Sequence, residues 1–422
     1  MKFRSCLTLL CVSLVSGSIV TASAQGISPR VELVVSDSKP APRPTPSPII
    51  VGQRPRVADA DPAPATRVEA PGKMAPSTNS AARTLSFREI KSKIAEATRV
   101  MQTRPLTIAS VGTQYQGIEA VRVAFHDWDR NEIDYVVMTK EDFLSTKYET
   151  AVNSENGRRL TVRTIRGNGV NTPITLTDEK GVRHLPLLVQ YPRVDKGTYQ
   201  ETAYYMSTHP GLVTPEVVGA GRIYVHNVIE IAREKLQSRG IKIQPKVADI
   251  AERLAVVEHV DHLRFKTEPH NDIYNDVFTL FALNEGQTYR YAVSSAGAGG
   301  MVQMIPSTYR MVRAQFSQVP LNPDFVVGMR DHVNAAKAML LYMQWTWDDL
   351  RSRSAISGAM LSGIATQEQL MAAGYNSNPA RLAGYINRGG AGWTNLIPRE
   401  TQMYLQIYES VDRLVPMTPR TR

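Results

Sequence analysis

A single acidic residue, Glu285, follows a strongly apolar stretch of the chain at 277–283. The spacing of the apolar side chains predicts a helix that ends close to Glu285. An acid in that position is poorly solvated and faces the negative end of the helix dipole. Both effects raise the pKa of a carboxyl group, and a raised pKa is what a general acid needs near neutral pH. We therefore expect Glu285 to be a proton donor.

The segment after Glu285 combines small and polar residues. Three glycines in four positions, Gly297, Gly299 and Gly300, would let the backbone approach a bulky ligand closely. Gln303 follows on what we expect to be a new helix, where it could hydrogen-bond a polar substrate. No Lys-Ser/Thr pair follows the glycines, which excludes a phosphate-binding P-loop. Ser294 has no His or Asp at the spacing of a serine-hydrolase triad.

This stretch resembles the motif of the soluble lytic murein transglycosylases, a lysozyme-like family that cuts peptidoglycan. The matching positions are Glu285, Ser294, Gly297, Ala298, Gly300, Gln303, Pro306 and Thr308. Three further blocks follow in the order of the family, at 331–338, 373–381 and 398–404. The resemblance covers about residues 260–410. The chain departs from the family pattern at Gly286 and Thr288, among other positions.

The resemblance implies the reaction of the family. Most glycosidases use two carboxylates about 5–9 Å apart, yet the Glu285 motif contains one, and the nearest acids in sequence are Asp276 and Asp324. In the family, the single acid protonates the glycosidic oxygen between N-acetylmuramic acid and N-acetylglucosamine. The N-acetyl group of the substrate stabilises the charge on C1. The same carboxylate then takes the proton of the muramoyl 6-hydroxyl, which closes a 1,6-anhydro ring.

The resemblance also assigns roles to individual residues. Glu285 would be the catalytic acid and base. Ser294 and Gln303 would hold the N-acetyl and neighbouring groups, and Tyr375 would position Glu285. The substrate-binding set implied by the motif is Ser294, Gly297, Ala298, Gln303, Tyr375 and Asn376, with Asn376 also supporting its turn. The reaction, formally that of a lyase, needs no metal or organic cofactor, and its partner is the peptidoglycan glycan strand.

Two other functions fit the same residues. A hydrolytic muramidase would let water attack C1 and leave a reducing end. A catalytically inactive peptidoglycan-binding or scaffold protein would bind the wall without cutting it, and it is favoured if the changes at Gly286 and Thr288 displace Glu285.

The N-terminal part of the chain indicates export. Residues 1–24 have the charged start, the apolar stretch and the Ala-x-Ala end of a secretory signal peptide, which we expect to be cleaved after Ala24. Localisation is then periplasmic or extracellular. Residues 25–85 contain 11 of the 26 prolines, all of them within 25–80. Such a stretch predicts a disordered linker, because proline neither donates to a β-ladder nor continues a helix.

Beyond the linker the fold class predicted is α+β. A β-rich accessory domain is expected at 86–212 and a mainly helical, lysozyme-like domain at 213–422. The capping-box spacing at Ser86 predicts a helix that ends by Pro105. Alternating patterns predict strands at 119–125, 133–139, 160–165, 174–177 and 185–191. Thr214 and Gly240 predict the start and end of one helix, and a second helix is expected near 246–266.

Composition excludes several other classes of protein. Lys and Arg number 49 against 39 Asp and Glu, but no basic stripe with interleaved aromatic residues indicates a nucleic-acid binder. Beyond the first 25 residues no apolar run approaches the ~18 residues of an integral membrane span. Both cysteines, Cys6 and Cys11, lie at the N-terminus, which excludes a thiolate zinc site.

His259 and His262 raise the question of a metal site. They share no His-Glu-x-x-His pattern, so packed or solvated histidines are the favoured interpretation. The 86–212 region offers no catalytic constellation. It is a candidate surface for a cell-envelope protein partner.

Overall fold

The computed structural model describes residues 83–104, 106, 120–195, 198–285 and 296–421, together with the backbone of 68–69. The strands are β1 Val68–Glu69, β2 Ala120–Asp127, β3 Glu132–Thr139, β4 Tyr148–Asn153, β5 Arg159–Thr164, β6 Ile174–Asp178, β7 Arg183–Asp195 and β8 Thr198–Tyr205. The helices are α1 Phe87–Thr103, α2 Lys140–Leu144, α3 Pro215–Gln237, α4 Pro245–Val257, α5 His262–Thr267, α6 His270–Leu283, α7 Pro306–Gln315, α8 Phe325–Arg330, α9 His332–Ser352, α10 Ser354–Leu361, α11 Gln367–Asn376, α12 Leu382–Gly389 and α13 Arg399–Leu414. The signal peptide predicted at 1–24 lies outside the described residues.

The strands form one curled antiparallel sheet that resembles half a barrel. Its order is β1-β4-β5-β6-β7-β2-β3, and β8 pairs with β7. The long strand β7 pairs with β6 near its start and with β2 and β8 farther along. Because successive side chains point to opposite faces of a strand, one face buries Val123 in the main core while Leu188 lies under α1.

A buried polar cluster connects three hairpin turns of this sheet. Arg158, before β5, donates to Asp127 at the end of β2 (2.6 Å) and to Asp178 at the end of β6 (3.0 Å). His184 accepts a hydrogen bond from the Trp128 backbone N–H at 3.2 Å. Both aspartate side chains are almost fully buried. The guanidinium therefore balances two carboxylates that could not otherwise remain ionised inside the sheet.

The helical part is built around α3, α6 and α9. Gly221 lies where α3 crosses α6, and a Cβ added there would come within 2.0 Å of the Phe278 carbonyl oxygen. A glycine is therefore required for the two backbones to approach this closely. The main hydrophobic core is continuous from Val123 in the sheet to Leu254 and Tyr342 in the helices. The boundary predicted at 212/213 stays a prediction.

Several local predictions are confirmed. The α+β class is correct in its coarse form, since helices and an antiparallel sheet are both present. Ser86 caps α1 with the reciprocal capping-box hydrogen bonds to Glu89. Thr214 caps α3, and Gly240 adopts the left-handed conformation (φ 77°) three residues after its end. Each of the five predicted strands overlaps an observed strand.

One local prediction is wrong, and some strands were missed. The helix expected near 246–266 is two helices, α4 and α5, because Asp261 begins a new cap by accepting from the Leu263 and Arg264 backbone N–H groups. Strands β4 and β8 were not predicted. Val68–Glu69, inside the predicted linker, pairs with Tyr148 and Glu149 of β4. The segment 65–70 lacks proline, so its backbone keeps the donors that a ladder requires.

Within the described part of the chain, every helix is too short or too polar to cross a bilayer.

Candidate functional site

Glu285 lies two residues beyond the last residue of α6, and hydrogen bonds fix the backbone just before it. The preceding residue, Asn284, is buried and makes a reciprocal pair of hydrogen bonds with Met206, which follows β8. The Asn284 amide accepts from the Met206 N–H at 3.0 Å and donates to the Met206 carbonyl at 2.9 Å. The Asn284 side chain thus pairs with the N–H and C=O groups of Met206 as the backbone of a neighbouring β-strand would, and these buried groups are satisfied. The position of Glu285 is thereby tied to the sheet.

The Glu285 carboxylate itself is on the surface. Its side chain is 44% exposed, and it accepts a hydrogen bond from the Lys91 ammonium of α1 at 2.8 Å. The expectation of a poorly solvated acid is therefore wrong for this structure, because the helix ends at Leu283 and its apolar core does not extend over Glu285. Sequence reasoning missed Lys91, which lies 194 residues away and carries no motif.

The glycine-rich segment forms a tight turn before α7. Gly297 and Gly300 have left-handed φ values of 74° and 72°, and Gln303 is a rare non-glycine residue at 45°. The Gln303 side-chain amide donates to the Gly300 carbonyl at 2.9 Å. Gln303 was expected inside a new helix, but α7 begins only at Pro306, whose fixed φ suits the first helical position.

The glycine at 300 is needed for contact with the protein's own backbone. A Cβ there would come within 2.7 Å of the Met329 carbonyl oxygen at the end of α8. This explains the residue without a bulky ligand. Ala298 in the same turn is buried, and Ser294 lies outside the described residues.

Tyr375 connects the third resemblance block to the first. Its hydroxyl donates to the Val302 carbonyl at 2.6 Å, and its ring meets Tyr342 of α9 edge to face, with centroids 5.9 Å apart. The hydroxyl was expected to position Glu285; the contact that the structure gives is to the backbone beside Gln303. Tyr375 therefore fixes the turn that carries Gln303.

The fourth block supports the third. The Thr401 hydroxyl donates to the Asn376 side-chain oxygen at 2.8 Å, and both residues are buried. One turn later on α13, the Tyr404 hydroxyl donates to the Glu258 carboxylate at 2.7 Å. Asn376 therefore has the supporting role that we expected for it at the end of α11.

The second block, residues 331–338, connects α9 to α7 by hydrogen bonds of Asn334. The Asn334 amide donates to the Tyr309 hydroxyl at 2.8 Å and to the Gly328 carbonyl at 2.9 Å. Its oxygen accepts from the Asn322 backbone N–H at 2.9 Å. A buried carboxamide that satisfies three partners fixes the loop between the helices.

His259 holds the same turn from the opposite side. Its Nε2–H donates to the Met301 carbonyl at 2.9 Å, and burial lowers the pKa of His259 to about 3. The ring is therefore neutral at physiological pH and packs edge to face on Phe281. The interpretation of His259 as a packed histidine is confirmed. Among the described residues, no cluster of His, Cys, Asp and Glu could hold a metal ion.

Comparisons with models of protein families, with curated proteins and with solved structures found no match. The likeness to the lytic transglycosylases thus remains a resemblance carried by motif residues. What the structure adds is their arrangement: the turn at 297–303 contacts the loop after α4 through His259, α8 through Met329 and α11 through Tyr375.

The two tyrosines, Tyr375 and Tyr342, offer a matched test of this arrangement. Tyr375→Phe removes a hydrogen bond to a buried carbonyl and is expected to lower the free energy of unfolding by about 1–3 kcal/mol. Tyr342→Phe removes a buried hydroxyl that has no hydrogen-bond partner among the described residues, so it should leave stability unchanged or slightly raise it. Urea unfolding of both variants measures the difference. Equal losses in the two variants would contradict the assigned role of Tyr375.

Proposed function

We propose that this protein is a lytic transglycosylase that cleaves the β-1,4 bond between N-acetylmuramic acid and N-acetylglucosamine in peptidoglycan. Glu285 acts first as acid and then as base, and the product ends in 1,6-anhydro-N-acetylmuramic acid. The saccharide is held beside the turn at 297–303 by Gln303 and by backbone groups of Gly297 and Ala298, with Ser294 contributing from the preceding segment. Tyr375 supports that turn, and Asn376, which Thr401 holds at the end of α11, belongs to the same binding set. The lysozyme-like fold of the helical part belongs to the same proposal.

The observation that carries the proposal is the hydrogen bond from Tyr375 to Val302. It joins two resemblance blocks that lie 73 residues apart in the chain, and Asn376 joins the next block through Thr401. Residues that share a motif only by chance have no reason to converge in space. Their convergence on one turn supports a common function.

The proposed step consumes no water and needs one carboxyl group. Glu285 donates its proton to the glycosidic oxygen, the C1–O bond breaks, and the substrate N-acetyl oxygen stabilises C1. The Glu285 carboxylate then removes the proton from the 6-hydroxyl while that oxygen bonds to C1. The proton count of Glu285 is restored at the end of each cycle.

The placement of the nearest acids agrees with a single-acid step. Asp276 precedes Glu285 by about two and a half helical turns on α6, and its carboxylate pairs with Arg264 at 2.7 Å. The Asp324 carboxylate caps α8 by accepting from the Val327 N–H at 2.8 Å. Each of these carboxylates has a structural role of its own.

The exposure of Glu285 is compatible with a polymeric substrate. A glycan strand must reach the acid from solvent, and the sugar rings that cover it on binding remove water from the carboxyl group. Closure of a site by its substrate strengthens every electrostatic interaction within it. The exclusion of water from Glu285, which we expected the protein to provide, would in this case come from the bound glycan.

The ion pair between Lys91 and Glu285 favours a second candidate, a protein that binds peptidoglycan without cutting it. The Lys91 ammonium lies 2.8 Å from the carboxylate, and this contact has to be broken before Glu285 can serve the glycosidic oxygen. If the ion pair persists in the presence of substrate, Glu285 cannot donate a proton.

Digestion of purified sacculi separates these functions. The wild-type protein is expected to release soluble fragments whose muramoyl ends resist borohydride reduction, because a 1,6-anhydro ring has no free aldehyde. Fragments with reducible ends would identify a muramidase. Sacculi that sediment with bound protein, while no fragments are released, would identify the binding protein.

Replacement of Lys91 by Met provides a prediction specific to the ion pair. Exposed ion pairs contribute about 0.2–1 kcal/mol, and this one must break before Glu285 can react, so its loss should raise fragment release by about 1.4- to fivefold. Lys93→Met, two residues along α1 and without an ion-pair partner in the part of the chain that the structure describes, is the matched control. A loss of release in Lys91→Met, with Lys93→Met unaffected, would instead show that Lys91 assists the reaction.

A further inference from the structure

A cavity of about 690 Å³ lies between the sheet and the start of the helical part. One wall comes from the connection after β5 and from the segment after β8, and the other wall from α5 and the first turns of α6. Its volume is that of a small-ligand site. Asp272 on its wall precedes Glu285 by 13 positions, which is about 20 Å along a helix axis. The cavity is therefore separate from the proposed reaction and does not depend on it.

Opposite charges without partners line the two walls. The Arg166 guanidinium comes from the connection after β5, and the Asp272 carboxylate from the first turn of α6. Among the described residues, neither charge has an ion pair or a side-chain hydrogen bond, and they do not pair with each other. Thr208 also lines the cavity, but its hydroxyl oxygen is enclosed by protein. Two charged groups able to bind a ligand thus share one cavity.

The position of Arg166 is set by its neighbours. Gly167 follows it, and a Cβ at that residue would come within 2.5 Å of the Leu144 carbonyl oxygen. The backbone beside Arg166 is thus packed against α2 and cannot readily shift. Burial, reinforced by the positive charge of Arg264, lowers the pKa of Arg166 from its ordinary value and outweighs the opposite effect of the carboxylates of Asp276, Glu268 and Asp261. A desolvated guanidinium of this kind gains from a carboxylate ligand.

The remaining charges restrict the ligand further. Arg264 is already paired with Glu268 and Asp276, both at 2.7 Å. Asp261 is used as a helix cap. The walls carry more carboxylates than guanidiniums, so a ligand with only negative charge would be repelled. A bare cation would leave Arg166 unpaired, and no set of metal ligands occurs among the described residues.

The mouth of the cavity adds an apolar contact. Leu263 on α5 is 71% exposed and Ile165 is 46% exposed, and both line the opening. Exposed aliphatic side chains beside a charged cavity suit a ligand that carries an alkyl group between or beside its charged ends. Free amino acids and short peptides have this combination.

We infer that this cavity binds a short peptide through both of its termini. Arg166 receives the α-carboxylate, Asp272 receives the α-ammonium, and Leu263 and Ile165 contact an aliphatic side chain. Asn275 is a further polar residue of the lining. A free dipeptide and a stem peptide cut from peptidoglycan share this chemistry, and affinity separates the two sources.

The test is isothermal titration calorimetry of the full-length mature protein with alanyl-leucine. The N-acetylated dipeptide and the dipeptide amide each lack one charge, and each is expected to bind at least about tenfold more weakly, because one of the two charge pairs is lost. The tetrapeptide released from sacculi by an amidase forms a second arm. If it binds more tightly than alanyl-leucine, the source is peptidoglycan; equal affinity indicates free peptides in general.

Two variants assign the ends of the ligand. Arg166→Gln should no longer distinguish alanyl-leucine from its amide, and Asp272→Asn should no longer distinguish it from its N-acetyl form. Neither side chain makes an ion pair in the described structure, so both variants should fold. Arg163→Gln, which changes an arginine of β5 that is not part of the cavity lining, is the matched control and should bind as wild type does.

Three results would overturn the inference. They are no binding of alanyl-leucine at millimolar concentration, equal affinity for the blocked and free dipeptides, and equal effects of Arg163→Gln and Arg166→Gln. Binding by a Glu285→Gln variant should be unchanged. A failure of the proposed reaction therefore leaves this test intact.

Discussion

Replacing Glu285 by Gln is expected to lower fragment release from sacculi by about 10²- to 10⁴-fold, the usual contribution of a positioned general acid. Glutamine keeps the shape of the side chain and can still accept from Lys91, but it has no proton to donate to a leaving oxygen. The rate of release is measured as soluble muropeptides from equal amounts of wild-type and variant protein. Binding of the variant to sacculi should persist.

Two controls make this result specific. Glu409→Gln changes an exposed acid on α13 and should release fragments at the wild-type rate. The melting temperature of Glu285→Gln should lie close to that of wild type, because the lost ion pair is exposed on both sides. Wild-type activity in Glu285→Gln would exclude this residue as the acid.

Replacing Arg158 by Met is expected to cost the largest amount of stability, about 3–5 kcal/mol, since it leaves two buried carboxylates without their cation. Asp127 and Asp178 lie at the ends of two different hairpins, and Arg158 is the donor that bridges them. The adjacent Arg159→Met is the matched control. Its ion pair with Glu179 is exposed on both sides, and its loss should change the free energy of unfolding by less than about 1 kcal/mol.

The same cluster predicts a dependence of stability on pH. Burial raises the pKa of Asp127, but hydrogen bonds from the Arg130 and Asp129 N–H groups and from Arg158 outweigh it, so the pKa lies below its ordinary value of 3.8. Asp178 behaves in the same way through the Val182 and Lys180 N–H groups.

The sign of the effect follows from these lowered values. A carboxylate with a lowered pKa stabilises the fold above its unfolded pKa, and this contribution is lost as the pH falls through the folded pKa. The free energies of unfolding of wild type and Arg158→Met, measured in urea, should therefore differ less below pH 4 than at neutral pH. A difference in the free energy of unfolding that stays constant with pH would contradict the role given to this cluster. Equal losses of stability in Arg158→Met and Arg159→Met would contradict it as well.

Local signals predicted the elements whose ends are fixed by neighbouring residues. Ser86 and Glu89 lie three positions apart and cap α1 by themselves, and Thr214 does the same for α3. The strand β4 has no comparable signal. It carries Glu149 and Thr150 in weak alternation, and it is held by its pairing with β5 and β1. Pairing between distant segments is decided by the tertiary fold.

The candidate site likewise has features that the sequence predicts and features that depend on the tertiary fold. Its residues were identified from motif spacing, but their contacts were not. The prediction that Glu285 is sheltered failed because shelter depends on what packs over a helix end, and here α1 brings Lys91 instead. Gln303 has a positive φ because Gly300 and Pro306 confine the turn around it. The carbonyl that Tyr375 contacts is set by the packing of α11 on the turn.

The proposed reaction is tested most directly by digestion of sacculi in water enriched in heavy oxygen. If Glu285 catalyses the proposed reaction, the fragments will be one water lighter than the hydrolysis product and will carry no label, since the muramoyl 6-hydroxyl and not water attacks C1. Labelled fragments with reducing ends, or no fragments at all from protein that binds the sacculi, would contradict it.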